Sequence, residues 1–400
     1  MNEYEDGIVV LSLFDGKSCG QIALERAGIK VKQYYSSEID KYAKRVAKIN
    51  YPNTIFLGDV TKVFAKDLPK IDIVIGGSPC QGFSFAGKRL NFKDPRSLLF
   101  FEFVRLVEEC KPRFFLLENV QMKKEHENVI SKYLNVSPIE LNSNLFSAQN
   151  RSRNYWTNIG MQPMGLFGYL ESIIPQPKDK GILLAHILEE DVPDKYFLSE
   201  KMLNWLCKHS DKNKSKGHGF NFSPKENMHT KSVTVTNEGK GRTESNYIVD
   251  LNRKSRCFTA GGNSGGLHSD MEIIVHNTLP RSSTTGKGGS GPLSRSDGKT
   301  YSLLASKKVN AIEFNGKYIR RLTPLECERL QTLPDNYTAY VSDTQRYKMI
   351  GNGWTIDVIA YIFSFLKTDL FNLNKYNHGT IFNRSTNCSN LFIYNTVKKS

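Results

Sequence analysis

Four hundred residues, 39% hydrophobic and 24% charged, exceed what one hydrophobic core usually organises and predict two domains. No stretch approaches a membrane span, and the acidic, polar start Met1–Gly7 leads straight into an apolar run, unlike a secretory leader, so a cytoplasmic protein is expected. Seven cysteines without CxxC or His-paired spacing argue against a disulfide framework and a zinc site, and a formal charge of +15 points to a polyanionic partner, with plain solubility as the ordinary alternative.

Residues 8–14 (IVVLSLF) read as a buried strand, followed by the turn Asp15-Gly16-Lys17-Ser18 and a helix from about Cys19 to Ala27. A second strand near 31–37 ends at Ser37-Glu38, a helix covers about 40–49, and a short strand at 54–57 ends in Gly58-Asp59-Val60. A strand at 71–76 runs into Ser78-Pro79-Cys80-Gln81 and a long loop to about residue 96. A helix at 97–110 then leads into the strand Phe114–Leu117, which ends in Glu118-Asn119. The alternation predicts an α/β fold with a mostly parallel sheet covered on both faces.

From about 161 the alternation weakens and Gly, Ser, Thr and Lys accumulate, which predicts a separate, irregular domain over 161–315; a disordered linker is the alternative. Strand-like pieces at Ser232–Thr236 and Tyr247–Val249 argue for folding. Periodic patterns return at Leu322–Leu333 and Thr355–Leu366. The expected organisation is therefore 1–160 and 316–368 as one domain, 161–315 as a second, and 369–400 as an Asn-rich extension.

In a doubly wound sheet, ligands gather beyond the carboxyl ends of the strands. Cys80 stands there on a Pro-stiffened loop, where a nucleophile is exposed; the ordinary alternative is a buried, inert thiol. The turn Phe14-Asp15-Gly16 with Cys19-Gly20 would bring backbone close to a ligand, Glu38 could accept from ribose hydroxyls, and Asp59 from an exocyclic adenine amine. Helix N-capping is the alternative for each acid. Because the turn lacks GxGxxG, a smaller nucleoside cofactor is favoured over a dinucleotide.

These residues closely resemble the DNA cytosine-5 methyltransferase family, whose motifs occur here in order: VLSLFDGKSCG (10–20), SSEID (36–40), GDV (58–60), GGSPCQGFSFAGKR (76–89), FFLLENV (114–120), QNRSR (149–153), RRLTPLECERLQTLPDNY (320–337) and GNGW (351–354). The resemblance implies a Rossmann-like, S-adenosylmethionine-dependent catalytic domain with a small target-recognition domain. It also implies methyl transfer from S-adenosyl-L-methionine to carbon 5 of a cytosine in a specific sequence of double-stranded DNA. By the same resemblance the cofactor site comprises Phe14, Asp15, Gly16, Cys19, Gly20, Glu38, Ile39, Asp59, Val60, Pro79, Leu99 and Asn352, with no metal.

Carbon 5 of cytosine is a weak nucleophile, so a thiolate must first add at carbon 6. Cys80 would supply that bond, and Arg151, Arg153 and the sulfonium cation would favour its thiolate. Glu118 would stabilise or protonate ring N3 and accept from the 4-amino group. Arg153, last in the QxRxR motif, implies a hold on the 2-oxo group, with Arg151 as buttress. Gly82, Gly87, Lys88, Arg89 and Lys93 offer hinges and phosphate-seeking charge, and Phe83 and Phe85 apolar body, to a loop that could close over a flipped base, with an ordinary mobile surface loop as the alternative. Where the family often carries a small polar residue, this chain has Ala86. For Glu326 and Arg329, three apart on a helix, a surface ion pair is expected.

Two alternatives remain. Cys257-Phe258-Thr259 resembles a tripeptide of the family's tRNA-modifying branch, although Ala260-Gly261-Gly262-Asn263 follows in place of the tyrosines there. A catalytically silent DNA-binding regulator is the other, against which stand Cys80, Glu118 and Arg153. A restriction-modification partner acting beside a separate endonuclease, a solitary enzyme and a phage-borne one all fit. A single catalytic unit acting on one base works as a monomer, and in a prokaryotic or phage-infected cell it would associate with the nucleoid. Arg242, Arg253, Lys254, Arg256, Asn263 and Arg281 could read groove edges, with plain solvated surface as an equal alternative for each.

Overall fold

The computed structural model describes residues 6–78, 95–164, 169–197, 273–276, 294–295, 311–314 and 318–371. Pro79, Cys80, the loop to residue 94, the strand-like pieces at 232–236 and 247–249, Cys257–Thr259, the six groove-reading candidates and the tail beyond 371 lie outside the described residues.

Seven strands form the main sheet: β1 (Ile8–Leu13), β2 (Val31–Ser37), β3 (Ile55–Phe56), β4 (Ile73–Gly77), β5 (Phe114–Val120), β6 (Ile139–Asn142) and β7 (Ser152–Thr157), in the order β3-β2-β1-β4-β5-β7-β6. β1 to β5 are parallel, and β7 is antiparallel to both neighbours. The chain leaves β1 in one direction to build β2 and β3 and returns across it to build β4 and β5, so the β1/β4 boundary is a topological switch point where the sheet opens a crevice.

Alternating residues divide the strands between two cores. Val10, Ile73, Ile75 and Leu116 pack under α1 (Cys19–Arg26), α2 (Lys41–Asn50) and a late group of helices, α5 (Pro324–Leu330), α6 (Asp343–Asn352) and α7 (Ile356–Phe371). Leu11, Leu13, Val74 and Leu117 pack on the other face under α3 (Pro95–Cys110) and α4 (Lys124–Leu134). Burial on both sides explains why these strands read as continuous apolar runs. Helix starts follow local chemistry. Asp40 accepts from the N–H groups of Tyr42 and Ala43 to cap α2, and Thr323 and Glu326 form a capping box with Pro324 at the first position of α5.

Ile174, Leu184, Ile187 and Tyr196 are buried in the first of these cores although composition groups them with the irregular region. They pack within turns and short 3-10 segments, where no periodicity marks them. β8 (Met161–Met164) and β9 (Tyr169–Ser172) form a hairpin, and β10 (Ile273–His276), β11 (Ser294–Arg295), β12 (Ala311–Phe314) and β13 (Tyr318–Arg321) form an antiparallel sheet in the order β11-β10-β12-β13. Among the described residues no single helix is long and apolar enough to cross a membrane.

Candidate active site

The parallel register aligns the strand exits: Leu13 pairs with Ser37 and Gly76, and Gly77 with Glu118. Phe14, Glu38, Asp59, Ser78 and Glu118 thus share one edge of the sheet. At the first exit Phe14 takes a left-handed conformation (φ 57°), as does Gly16 (φ 61°). The Gly16 N–H donates to Glu38 Oε2 at 2.8 Å, while Ile39 and Asp40 donate to Oε1, both at 2.7 Å. Burial raises the Glu38 carboxyl above the usual range against these three N–H groups. A Cβ at Gly16 or Gly58 would meet open space, and Ile39 beside them is 75% exposed. An uncluttered backbone floor, an acid with acceptor capacity left on Oε2 and an exposed apolar side chain fit a nucleoside.

Other predicted cofactor residues sit behind this edge. Asp15 is buried and accepts from the hydroxyls of Ser12 and Tyr34 on Oδ1 (2.6 and 2.7 Å) and of Ser18 and Ser36 on Oδ2 (2.7 and 2.8 Å). Burial raises its pKa and the four hydroxyls oppose the rise. Its carboxylate ties the turn to β1, β2 and the start of α1. Cys19 and Val60 are buried, and a Cβ at Gly20 would collide with Ile75 and lie 2.6 Å from the Tyr34 hydroxyl, so glycine here permits close helix-to-sheet packing. Asp59 caps a short 3-10 turn, accepting on Oδ1 from the Thr61 N–H and hydroxyl (3.0 and 2.9 Å), which lower its pKa. Leu99 is half-buried on α3, and Asn352 is exposed at the end of α6.

The second cluster lies at the exits of β4 and β5. Glu118 and Arg153 face each other across β5 and β7 with Oε1 and Nε 3.1 Å apart, both side chains largely shielded. The Trp354 indole donates to the other carboxylate oxygen at 3.2 Å. A Cβ at Gly77 would lie 2.9 Å from that indole nitrogen and 3.1 Å from Glu118 Oε2, so glycine lets both approach the strand. Arg151 is buried and donates from Nη2 to the Gly353 carbonyl at 3.2 Å. Buried Asn119 donates to the Ser78 hydroxyl at 3.1 Å, fixing the chain one residue before Pro79. A carboxyl group held by an arginine and an indole, next to the segment leading to a cysteine, can accept hydrogen bonds from a bound base when ionised and donate a proton to a ring nitrogen when protonated.

The C-5 cytosine-specific DNA methylase family model matches residues 8–368. This chain belongs to that family. A type II methyltransferase of Lactococcus lactis subsp. cremoris, M1.ScrFI, is 33% identical over 83% of the chain and 71% of its own length. The orphan methyltransferase M.SPRI of Bacillus phage SPR is 29% identical over 88% and 96%. In fold, the chain is similar to the Entamoeba histolytica methyltransferase EhMeth (TM-score 0.54, 15% identity, 91% of this chain and 99% of that one).

The expected surface pair in this cytosine-5 DNA methyltransferase is not formed. Glu326 is fully buried and holds Arg320 through two 2.7 Å hydrogen bonds, while Arg329 pairs with Asp335. Glu326 also accepts from the backbone of Thr323 and Glu189, so its side chain is drawn back under α5 instead of along it. Sequence reasoning missed Trp354, Asn119, Ser78 and the hydroxyls around Asp15. The one signal for them was their place inside or beside the motifs, since Trp354, Asn119, Ser78, Tyr34 and Ser36 act through contacts distant in sequence.

Proposed function

We propose that this methyltransferase acts on carbon 5 of a cytosine flipped out of a specific double-stranded DNA sequence, through a covalent bond from Cys80 to carbon 6. The shielded Glu118 carboxylate, held by Arg153 and Trp354 beside the chain leading to Cys80, is the observation that carries the reading. The Cys80 thiolate forms a bond to carbon 6, the ring π electrons shift toward carbon 5 and N3, and the Glu118 carboxyl, in its protonated form, gives its proton to N3 and is left as the carboxylate that pairs with Arg153. Arg153 holds the 2-oxo group and Arg151 braces the neighbouring backbone. When bound, S-adenosyl-L-methionine would supply an electrophilic methyl group for carbon 5, with the neutral thioether as the leaving group. Loss of the carbon 5 proton to a solvent-derived base restores the 5,6 double bond and expels the Cys80 thiolate, as N3 returns its proton to Glu118.

Phe14, Gly16, Glu38, Ile39 and Asp59, with Pro79, Leu99 and Asn352, would hold the cofactor. Asp15, Cys19, Gly20 and Val60 would shape that wall from behind. The loop after Cys80 closes over the extruded base and excludes water. The recognition unit begins beyond Phe197, because the preceding segment belongs to the catalytic core, and the catalytic domain resumes near residue 316. The enzyme works as a cytoplasmic, nucleoid-associated monomer, with any endonuclease partner acting separately.

A 5-fluorocytosine duplex tests this directly. The wild type should form a denaturant-resistant complex in the presence of S-adenosylmethionine, and Cys80→Ser should form none. Methylation by Cys80→Ser, or labelling of tRNA in preference to duplex, would overturn the reading. Bisulfite sequencing of DNA from expressing cells gives the target sequence.

A further inference from the structure

Lys17 is 1% exposed, an unusual state for a lysine, and lies in the turn between β1 and α1. Its ammonium donates at 3.1 Å to the carbonyl of Met349, in the last turn of α6, where helix carbonyls lack intrahelical partners and the dipole favours a cation. Its own carbonyl accepts from the Tyr337 hydroxyl at 2.7 Å. The ammonium occupies the place that a Cβ at Gly353 would take. Gly353 has φ −81° and ψ 174°, an extended conformation open to any residue, so a side chain there is excluded chiefly by the lysine, with the Met349 carbonyl oxygen a tight 3.2 Å from the same point.

Gly353 sits at a junction. Its carbonyl accepts from Arg151 and from Gln331 Nε2 at 3.3 Å, and the next residue is Trp354, whose indole holds Glu118. We propose that Lys17 is a positioning residue for catalysis: its buried ammonium latches the β1–α1 turn to the end of α6 and, by filling the space beside Gly353, sets the path that aims Trp354 at Glu118. This rests on the reading of Glu118 as the group that protonates cytosine. The latch joins the wall of the cofactor site to the catalytic carboxylate through one side chain.

The experiment compares Lys17→Met, Gly353→Ala and the double variant in the full chain. Lys17→Met keeps most of the volume without the charge, and Gly353→Ala evicts the ammonium by its methyl group while leaving Lys17 in place. Each single variant should lower kcat about tenfold and leave KM for S-adenosylmethionine within about threefold, and the double should be no slower than the slower single. In the protein alone, Lys17→Met should shift tryptophan emission, and the shift should vanish in a Trp354→Phe background. Multiplying kcat losses, an unchanged kcat in either single variant, or an emission shift that survives Trp354→Phe would overturn the latch. If Lys17→Met does not fold, Gly353→Ala decides through the same kcat, KM and emission measurements. Glu118→Gln separates the two readings: full activity in that variant defeats the role of Glu118, whereas a dead Glu118→Gln beside multiplying losses at 17 and 353 defeats only the latch.

Discussion

Glu118 and Arg153 meet at 3.1 Å from adjacent antiparallel strands because Glu118 pairs in register with Tyr155, two residues along β7 from Arg153 and on the same face. The carboxylate is thereby fixed to a rigid sheet instead of a loop. Glu118→Gln preserves shape and a hydrogen bond from Trp354 but has no proton to give and no charge to hold Arg153. Proton transfer by a positioned side chain contributes about 10²- to 10⁴-fold, so kcat should fall at least about 100-fold. Methyl incorporation into duplex DNA at saturating cofactor measures it, with an unchanged circular dichroism spectrum as the control for folding.

The Glu38 carboxyl, raised by burial, predicts opposite pH trends for binding and for stability. Ligand hydroxyls need the ionised acid as acceptor, so affinity for S-adenosylhomocysteine should fall on acidification, beginning at a pH above the ordinary glutamate range. Because the folded pKa exceeds the unfolded one, the folded protein binds the proton more tightly; this contribution to stability is full below the unfolded pKa and is lost as pH rises through the folded pKa. Titration calorimetry across pH 5–8 on the wild type and Glu38→Gln should show this acid-side loss only in the wild type.

Asp15 illustrates what was legible and what was not. The strand exits could be read from apolar runs broken by Gly, Asp and Ser, and the sheet edge carries Phe14, Glu38, Asp59 and Glu118 as expected. Whether an acid at such an exit faces ligand or core depends on hydroxyls brought from other elements, and here Tyr34 and Ser36 of β2 claim Asp15. α4 gave little periodic signal because only Ile130 and Leu134 of its eleven residues are buried. β7 runs antiparallel with a mixed polar sequence, which a pattern of parallel apolar strands does not anticipate.

Replacing Asp15 by alanine would leave four buried hydroxyls to find new acceptors. At about 1–3 kcal/mol for a buried unsatisfied group, partly relieved by hydroxyl rotation and by removal of a desolvated charge, the net loss should be about 2–4 kcal/mol. Urea denaturation should show a lower midpoint with an unchanged slope. Weaker binding of S-adenosylhomocysteine should accompany it, since Gly16 and Ser18 lose their anchor.

Glu326 and Arg320 predict a larger and more local effect. Arg320 lies in β13, the strand that leads out of the four-stranded sheet, and Glu326 lies in α5 of the catalytic core; both are almost completely buried. Breaking such a pair from one side strands an uncompensated charge, which costs about 3–5 kcal/mol, whereas replacing both partners by apolar residues of similar volume is often close to neutral. Glu326→Ala should therefore be strongly destabilised and Arg320→Met with Glu326→Leu much less so. Glu326 also accepts backbone N–H groups from Thr323 and Glu189, which the double variant leaves unsatisfied, so it should not reach wild-type stability. Thermal melts of the three proteins decide the matter: equal losses in Glu326→Ala and the double variant would mean that these backbone contacts, and not the buried charge pair, carry the energy at this junction.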